Sequence, residues 1–216
     1  AVFDRDKEYR QNLMAYEGST NLIPKNSSFE GDIADWNPGD WNTGGTGRWR
    51  LVNDGVTGGK SIECYDSDNK TDGSVTNSVA FQDIILTTAL TASQTYTISA
   101  YAKRIGETQP AFSILCYDSN GAQIPGAYWT YGKNIEENQW VRIYMSFTAP
   151  VGTKTLQAVI RSSVKDRDIV RFDNVQVEQK PFATPYTATT STAAKVLYTL
   201  VVNKKSRTMG VRFYAT

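Results

Sequence analysis

The sequence predicts an all-β protein, an antiparallel two-sheet β-sandwich, from three observations. About eight short segments alternate apolar and polar residues with the period of two that β-strands show. Turn sequences such as Asp118–Gly121 and Ala149–Gly152 separate the segments. No helical pattern lies between them, and regularly spaced strands without intervening helices are typical of a sandwich. The predicted strands are Arg48–Val52, Ser61–Tyr65, Ser78–Leu86, Thr95–Arg104, Ala111–Tyr117, Gln139–Thr148, Thr155–Arg161 and Val170–Glu178.

Alternation along these segments assigns their two faces. In the fourth strand, the residues predicted to face the core are Tyr96, Ile98, Ala100 and Ala102. Tyr101 and Lys103 then lie on the outward face, and Arg161 takes the same position at the end of its own strand. Flat, hydrogen-bonding side chains suit a sugar ligand, although an ordinary solvated sheet face has a similar composition.

Two appendages flank the predicted sandwich. The lead-in contains a short helix, Asp4–Tyr16, because Asp4 can cap its start and Gly18 follows its end. The C-terminal part is a Thr/Ala/Pro linker followed by a basic β-hairpin. The chain begins Ala-Val-Phe without a Met, so we expect it to be part of a longer protein. The predicted parts, in order, are residues 1–20, 21–187 and 188–216.

Composition excludes several classes of function. The chain has 216 residues, no histidine and a net charge of +1, which gives no general attraction to nucleic acid or to a membrane. Without histidine there is no Ser-His or Cys-His dyad, and a tetrahedral zinc site lacks ligands. A bound metal is therefore expected to be a hard cation such as calcium. Cys64 and Cys116 lie in apolar strands and are predicted to be free core thiols, with a disulfide as the alternative.

Two distant segments are predicted to close the sandwich. Asn21–Glu30 is a short strand that stops at Pro24 and continues into a polar turn and a Phe-Glu pair. Val170–Glu178 has the composition of its complement about 140 residues later. We expect Glu30 and Asp173 to meet where these segments join.

Aromatic residues in two loop-like stretches are candidates for a contact surface. Trp41 and Trp49 lie in a stretch rich in Gly, Pro and Asn, between residues 32 and 59. Tyr128, Trp129 and Tyr131 follow Pro125-Gly126, also without an obvious strand context. Loops run over the surface, so large aromatic side chains there either fold back into the core or contact a ligand.

Nine short motifs together resemble a known family. They are Asn21–Glu30, Trp36, Gln82-Asp83, Tyr96–Lys103, Tyr117–Gly121, Trp140, Phe147–Pro150, Phe172–Glu178 and Ala183–Thr187. Each motif is weak alone, but in this order they resemble the carbohydrate-binding modules of the family 4/9/22 type. More specifically, they are similar to versions embedded in bacteriophage tail proteins, including distal tail proteins.

The resemblance implies a galactose-binding-like jelly roll that often holds a structural calcium near its joined ends. Glu30 and Asp173 match the two carboxylates that bind this ion in the family. Two carboxylates brought together repel each other unless a cation lies between them. The alternative is that Glu30 binds backbone amides and Asp173 caps a turn.

The resemblance also guides the choice of sugar-binding residues. Sugars stack their C–H faces on aromatic rings and receive hydrogen bonds from planar side chains. Trp36 and Trp140 match packing positions and are assigned to the core. The candidate carbohydrate-binding residues are Trp41, Trp49, Tyr101, Lys103, Tyr117, Tyr128, Trp129, Tyr131 and Arg161.

The function expected from the sequence is a non-catalytic carbohydrate-binding module of a phage tail. Its partners would be host cell-wall or surface polysaccharide and other tail subunits, and its location the virion or, outside a phage, the cell exterior. A structural or protein-docking domain of the tail is the first alternative. A glycan-degrading jelly roll is the second, and it requires paired acids or a Tyr/Arg/Lys arrangement in a cleft.

Overall fold

Every regular element that the structure describes is a β-strand. This computed structural model describes residues 20–40, 48–65, 75–165, 167–188, 199–202 and 209–212. The strands are β1 Asn37–Asp40, β2 Trp49–Val52, β3 Ser61–Tyr65, β4 Val75–Ile85, β5 Gln94–Ile105, β6 Ala111–Tyr117, β7 Gln123–Gly132, β8 Val141–Ala149, β9 Thr155–Lys165, β10 Ile169–Glu178, β11 Thr199–Val202 and β12 Met209–Arg212. The predicted all-β class is confirmed. The predicted helix Asp4–Tyr16 lies outside the described residues.

Two five-stranded antiparallel sheets form the sandwich. Sheet A has the order β1-β4-β9-β6-β7, and sheet B has the order β2-β3-β10-β5-β8. Strands that are neighbours in a sheet are often distant in the chain, as in β3 and β10, so most pairings are long-range. Strands β11 and β12 pair antiparallel in a two-stranded sheet, and both lie within the predicted C-terminal hairpin.

The core lies between the sheets and is built from the residues that alternation predicts. Tyr96 and its predicted core partners on β5 are all buried. Tyr96 stacks on Phe147 of β8, with ring centroids 5.8 Å apart. Phe172 of β10 contacts Phe112 of sheet A at 6.3 Å, so aromatic rings join the two layers. Trp36 is buried, as predicted, whereas Trp140 is only half-buried at the residue before β8.

Two strands, β1 and β7, occupy stretches predicted to be loops. Each contains a Pro-Gly pair, Pro38-Gly39 in β1 and Pro125-Gly126 in β7. Proline cannot donate to a strand ladder and usually breaks a strand pattern. Both strands lie at the outer edges of sheet A, where one side of the backbone needs no partner. Proline is tolerated at such edges, so the Pro-Gly pairs that predict loops in the sequence lie in edge strands of the structure.

The ends of the module meet on β10, as the sequence predicts. The backbone N–H of Leu22 donates to Val177 O at 2.7 Å, and Val175 N–H donates to Ser27 O at 2.7 Å. Asn21 Nδ2 donates to Val175 O at 2.9 Å and to Thr187 O at 3.1 Å. The first and last residues of the module are therefore side by side.

A β-bulge in β10 sets which side chains face outward. The pairing with β5 shifts between Asp173 and Gln176, so one extra residue is accommodated on β10. Asn174 takes the left-handed conformation there, with a φ of 52°, which asparagine tolerates better than most residues. The shift allows Asp173, Gln176 and Glu178 all to project from the outer face of sheet B.

The segment Ala183–Thr187 covers that outer face and is held by buried polar groups. Glu178 is 1% exposed and accepts hydrogen bonds from Thr184 N–H at 2.8 Å and Thr184 Oγ1 at 2.7 Å. Gln176 Nε2 donates to Glu178 Oε1 at 2.9 Å, and Gln176 Oε1 accepts from Thr187 N–H at 2.7 Å. We call Gln176, Glu178 and Ala183–Thr187 the clasp. The clasp holds the extended segment Ala183–Thr187 against the sheet. It supplies hydrogen-bond partners to polar groups of this segment that would otherwise be buried without them.

An ion-pair network occupies the rest of the outer face of sheet B. Buried Glu63 binds Arg50 at 2.7 Å and Arg171 at 2.7 Å. Asp54 binds Lys103 Nζ at 2.9 Å and also pairs with Arg171. Burial works to raise the pKa of Asp54, but the hydrogen bonds and charges of Lys103 and Arg171 outweigh it and lower that pKa. The network ties the loop after β2 to the sheet.

The two cysteines are free and buried, which confirms the first of the two sequence alternatives. Burial raises the pKa of the Cys116 thiol to about 11, so it stays protonated at neutral pH. Across the described ranges, the structure contains no helix that is long and apolar enough to cross a membrane.

Replacing Glu178 with alanine is expected to destabilise the fold by about 3 kcal/mol, because it removes the hydrogen bonds that three buried donors make to this carboxylate. These donors are the N–H and Oγ1 of Thr184 and the Nε2 of Gln176. Urea unfolding followed by tryptophan fluorescence measures the loss. Glu136→Ala, at an exposed site, is the matched control. Equal midpoints for the two variants would contradict the role given to the clasp.

Candidate functional site

The outward face of sheet A is the candidate ligand surface. It crosses β4, β9, β6 and β7 and has a floor of residues that point away from the core. Val79, Ser113 and Val159 form this floor: each alternates with core residues, yet each is buried. The face therefore has a closed bottom with larger side chains around it, which is the shape of a shallow groove.

Tyr128 is the exposed aromatic residue of this groove. Its backbone lies in β7 opposite Leu115 of β6. Its hydroxyl receives a hydrogen bond from Arg161 Nη1 at 3.4 Å, and Arg161 lies in β9, on the other side of β6. The phenol ring must therefore lie across β6. The side chain is 42% exposed, so the structure presents a flat aromatic surface to solvent.

Polar neighbours hold the Tyr128 hydroxyl in place. Burial works to raise the pKa of Tyr128, but hydrogen bonds with Thr130 and Ser113 and the charge of Arg161 outweigh it and lower the pKa. Ser113 Oγ and Thr130 Oγ1 also bond each other at 2.9 Å. An aromatic ring fixed in this way loses little conformational entropy when a ligand stacks on it.

A second polar chain crosses the groove nearer its other end. Tyr117 Oη donates to Gln157 Oε1 at 3.3 Å, and Gln157 Nε2 donates to Asp83 Oδ1 at 3.0 Å. These residues lie in β6, β9 and β4 and all face outward. Burial and the Asp83 charge raise the pKa of Tyr117, so its hydroxyl remains a donor at neutral pH.

Two apolar residues on β4 complete the groove and were missed from the sequence. Phe81 is half-buried and Ile85 is 72% exposed, both on the outward face. The signal was present, because both alternating sets of the predicted strand Ser78–Leu86 contain apolar residues. A strand with apolar residues on both faces has a second contact beyond the core.

A depression of about 400 Å³ adjoins the Tyr128 ring at the end of the groove. Its lining consists mainly of hydroxyl, amide and charged side chains together with small residues: Glu107, Thr108, Gln109, Ala111, Thr130, Gly132, Arg161, Ser162 and Ser163. Its volume falls within the range of small-molecule sites. The space exists because Ala111 and Gly132, beside Arg161, have little or no side chain.

The wall of the depression is held firmly. Asp168 accepts hydrogen bonds from the backbone N–H of Glu107 at 3.2 Å and of Thr108 at 2.9 Å. Gln109 Oε1 accepts from Ile135 N–H at 2.9 Å. These bonds fix residues 107–109 immediately before β6. A wall of this kind keeps its shape when a ligand is absent.

Several predicted binding residues do not lie in this groove. Trp49 is buried in the core, where its Nε1 donates to Val79 O at 3.0 Å and its ring lies 6.2 Å from that of Phe172. Trp129 and Tyr131 alternate with Tyr128 along β7, so they point inward, and Trp129 packs 5.4 Å from Phe147. These three side chains therefore lie on the core side of the sandwich and not on the outward face of sheet A. Trp41 lies outside the described residues.

Tyr101 and Lys103 lie on the opposite sheet. Both face outward from β5 in sheet B, whereas Tyr117, Tyr128 and Arg161 face outward from sheet A. Lys103 is engaged with Asp54 in the ion-pair network, and the Tyr101 ring lies 5.7 Å from the Arg142 guanidinium. The candidate residues on the strands are thus divided between the outward faces of two sheets. Alternation predicts whether a side chain faces the core or the solvent, but not which sheet its strand joins.

Glu30 and Asp173 lie on either side of one loop, residues 54–60. Asp173 Oδ2 accepts from Val56 N–H at 2.8 Å, and Glu30 Oε2 accepts from Lys60 N–H at 3.1 Å. A Cβ on Gly59 would lie 2.1 Å from Glu30 Oε1, so only glycine leaves room for this carboxylate. The two acids thus contact the same loop, near the junction where the sequence predicts that they meet.

The donors at this junction fit a hard cation. Burial, with a further contribution from the Glu30 charge, raises the pKa of Asp173 to about 6, although bonds from Val56 and Asn174 oppose the shift. None of the ion pairs among the described residues involves Glu30 or Asp173. No cluster of three or more His, Cys, Asp or Glu occurs in the described ranges, so backbone oxygens and water would have to complete a calcium shell.

Comparison with known proteins identifies a family. The family model for "Carbohydrate binding domain" matches residues 21–166, within the module predicted from the sequence. No curated protein matches this chain in sequence.

Solved structures share the fold at low sequence identity. The module TmCBM61, solved in complex with β-1,4-galactotriose, has a TM-score of 0.51 and 14% identity over 75% of this chain and 100% of its own. The CBM22-1 xylan-binding domain from Paenibacillus barcinonensis Xyn10C has a TM-score of 0.51 and 14% identity over 77% and 99%. The enzymatically active domain of bacteriophage CBA120 tailspike protein 4 has a TM-score of 0.51 and 17% identity. That match covers 74% of this chain but only 21% of the tailspike chain.

The raised pKa of Asp173 predicts a measurable pH dependence in chelator-treated protein. The folded state binds the proton more tightly than the unfolded state, so stability is greatest below the unfolded pKa of 3.8 and falls as pH rises through about 6. At about 1.4 kcal/mol per pKa unit, the loss between pH 4 and pH 7 is of the order of 3 kcal/mol.

Urea unfolding at a series of pH values, compared with Asp173→Asn, isolates this contribution from the other carboxylates. The difference in unfolding free energy between wild type and variant should decrease with rising pH. A difference that does not change with pH would mean that the pKa of Asp173 is not raised in the folded state.

Proposed function

The chain belongs to the carbohydrate binding domain family, and we propose that it binds a polysaccharide on the outward face of sheet A without cleaving it. The observation that carries this proposal is the Tyr128 ring, which lies across β6 and is exposed above a closed floor. A pyranose presents an apolar C–H face that stacks on such a ring. Planar polar groups at the edges of the groove, among them Gln157 and Arg161, would receive the hydroxyls.

The groove favours binding over hydrolysis. Glycoside hydrolases place two carboxyl groups about 5 to 9.5 Å apart. On this face Asp83 lies opposite Gln157, whereas Glu107 lines the depression beside Arg161, four residues farther along β9. The two positions on β9 that these acids neighbour are thus about 13 Å apart along the strand, which disfavours either glycosidase geometry for this pair. The chain also contains no histidine to serve as a general acid or base.

We propose further that the module serves a phage tail in adsorption to host cell-wall or surface polysaccharide. The motif series of the sequence and the shared fold with a tailspike domain support this context. Stacking on one exposed ring supplies only modest affinity, and several copies on one particle would raise it through avidity. In this setting the module lies outside the cell, with other tail subunits as its neighbours.

Replacing Tyr128 with alanine is expected to reduce polysaccharide affinity at least tenfold, because the stacking surface is lost while the floor remains. The matched control is Tyr144→Ala, a tyrosine 57% exposed on the outer face of sheet B. Glycan arrays first identify a ligand, and calorimetric titration then compares the variants at equal thermal stability.

Three outcomes would contradict this proposal. Loss of binding in Tyr144→Ala but not in Tyr128→Ala would place the ligand on sheet B. Absence of binding to any glycan, combined with loss of tail assembly in Tyr128→Ala, would favour a protein-docking domain. Release of reducing ends or unsaturated sugars from a bound polysaccharide would instead indicate an enzyme.

We also propose that calcium binds between Glu30 and Asp173. Two carboxylates that flank a glycine-containing loop, with the Asp173 pKa raised, support a divalent oxygen-binding cation there. The neighbouring Tyr186 hydroxyl has a raised pKa through burial and, to a smaller extent, the charges of Asp173 and Glu30. A cation would neutralise this local negative charge and hold loop 54–60 against β10.

Removal of calcium is expected to lower the melting temperature of the wild type by several degrees at pH 7.5, because the two carboxylates then repel. Glu30→Gln should abolish the response to chelator, whereas Glu136→Ala, at an exposed site, should retain it. Calorimetric titration of chelator-treated protein with calcium measures the binding directly. An unchanged melting temperature together with no calcium-dependent heat would exclude the ion.

A further inference from the structure

The depression beside Tyr128 has the features of a separate pocket. Tyr128 does not contribute to its lining, although Arg161 contacts both. Its wall is fixed by Asp168 and Gln109 independently of any ligand. A preformed concave site beside a flat aromatic ring can contact a part of the ligand that the ring does not reach.

The chemistry of the lining suits the hydroxyls of a neutral sugar. Glu107 and Arg161 are the charged residues of the lining. A carboxylate can accept hydrogen bonds from vicinal hydroxyls, and a guanidinium group can donate to them. Opposite charges on one small pocket disfavour an acidic sugar, because its attraction to Arg161 is opposed by repulsion from Glu107. A neutral polyol uses both groups at once.

The size and the closed side of the pocket limit what can enter. A volume of about 400 Å³ lies near the lower end of the range for small-molecule sites, which suits one sugar unit better than a chain. Residues 107–109, immediately before β6, form one side of the lining, which would restrict a bound sugar from extending in that direction.

We propose that this depression is a specificity pocket for one neutral sugar unit, a branch or chain end, of the polysaccharide whose main chain stacks on Tyr128. The proposal rests on the proposed function and deepens it. The ring would then provide general affinity for glycans, and the pocket would select those with an accessible terminal unit.

Gly132 offers a way to block the pocket without disturbing the Tyr128 ring. A Cβ at this position would have only Pro110 O as a neighbour, at 4.0 Å, so a side chain is tolerated by the backbone. Gly132→Phe should therefore fill the depression. Ser93→Phe, at an exposed site before β5, is the matched control. Glu107→Gln tests the charged acceptor with a smaller change of shape.

The test uses the full chain labelled for amide NMR and titrated with methyl glycosides of neutral hexoses and pentoses and with methyl glucuronide. We expect saturable shifts at Gly132 and Arg161–Ser163 with the neutral glycosides and at least tenfold weaker binding of the glucuronide. Gly132→Phe should remove these shifts and Glu107→Gln should weaken them about tenfold, while Ser93→Phe should leave them unchanged.

The outcomes separate this pocket from the groove itself. Shifts confined to Tyr117 and Tyr128, or shifts that persist in Gly132→Phe, overturn the pocket but leave polysaccharide binding intact. Stronger binding of methyl glucuronide than of the neutral glycosides overturns the neutral assignment. If no glycoside shifts any amide and no polysaccharide binds, both proposals fail. If Gly132→Phe still binds linear polymer but loses its preference for branched polymer, the pocket is supported.

Discussion

The closure of this module depends on the buried hydrogen bonds that Glu178 and Gln176 make on β10. An extended segment such as Ala183–Thr187 has backbone groups that cannot be buried without partners. A carboxylate with 1% exposure is stable only if donors surround it, and Thr184 and Gln176 supply them. Because the segment from Asn21 to Ser27 also bonds to β10, a single central strand holds both ends of the module.

Because of this closure, the outer faces of the two sheets differ in what covers them. The clasp and the ion-pair network occupy the outer face of sheet B, and the start and end of the module lie there as well. The outer face of sheet A carries the exposed ring of Tyr128, a closed floor and the depression beside it. The groove therefore lies on the sheet opposite the clasp. The bulge at Asp173 serves the same arrangement, because it turns that carboxylate toward Glu30 and loop 54–60.

Most of the fold could be predicted because its core strands alternate plainly, and the failures have physical causes. The Pro-Gly pairs of β1 and β7 read as loops, yet edge strands tolerate proline, and edge position is a property of the sheet. Because β7 was predicted to be a loop, Tyr128, Trp129 and Tyr131 were treated as one aromatic surface, although in a strand they lie on two opposite faces. Two of the three aromatic candidates on that strand, Trp129 and Tyr131, therefore pointed toward the core. Phe81 and Ile85 were not predicted as site residues for a related reason. The role of an outward-facing apolar residue depends on its neighbours in the sheet, which the sequence does not give.

The amino-acid sequence was enough to predict the fold class, the family and the pairing of the module's ends. These properties follow from local periodicity and from the order of the motifs along the chain. The folded structure was needed to show that Tyr101 and Lys103 belong to one face and Tyr117, Tyr128 and Arg161 to the other. Alternation states whether a side chain faces in or out, but the choice of sheet depends on long-range hydrogen bonding between strands. The groove is a consequence of that choice.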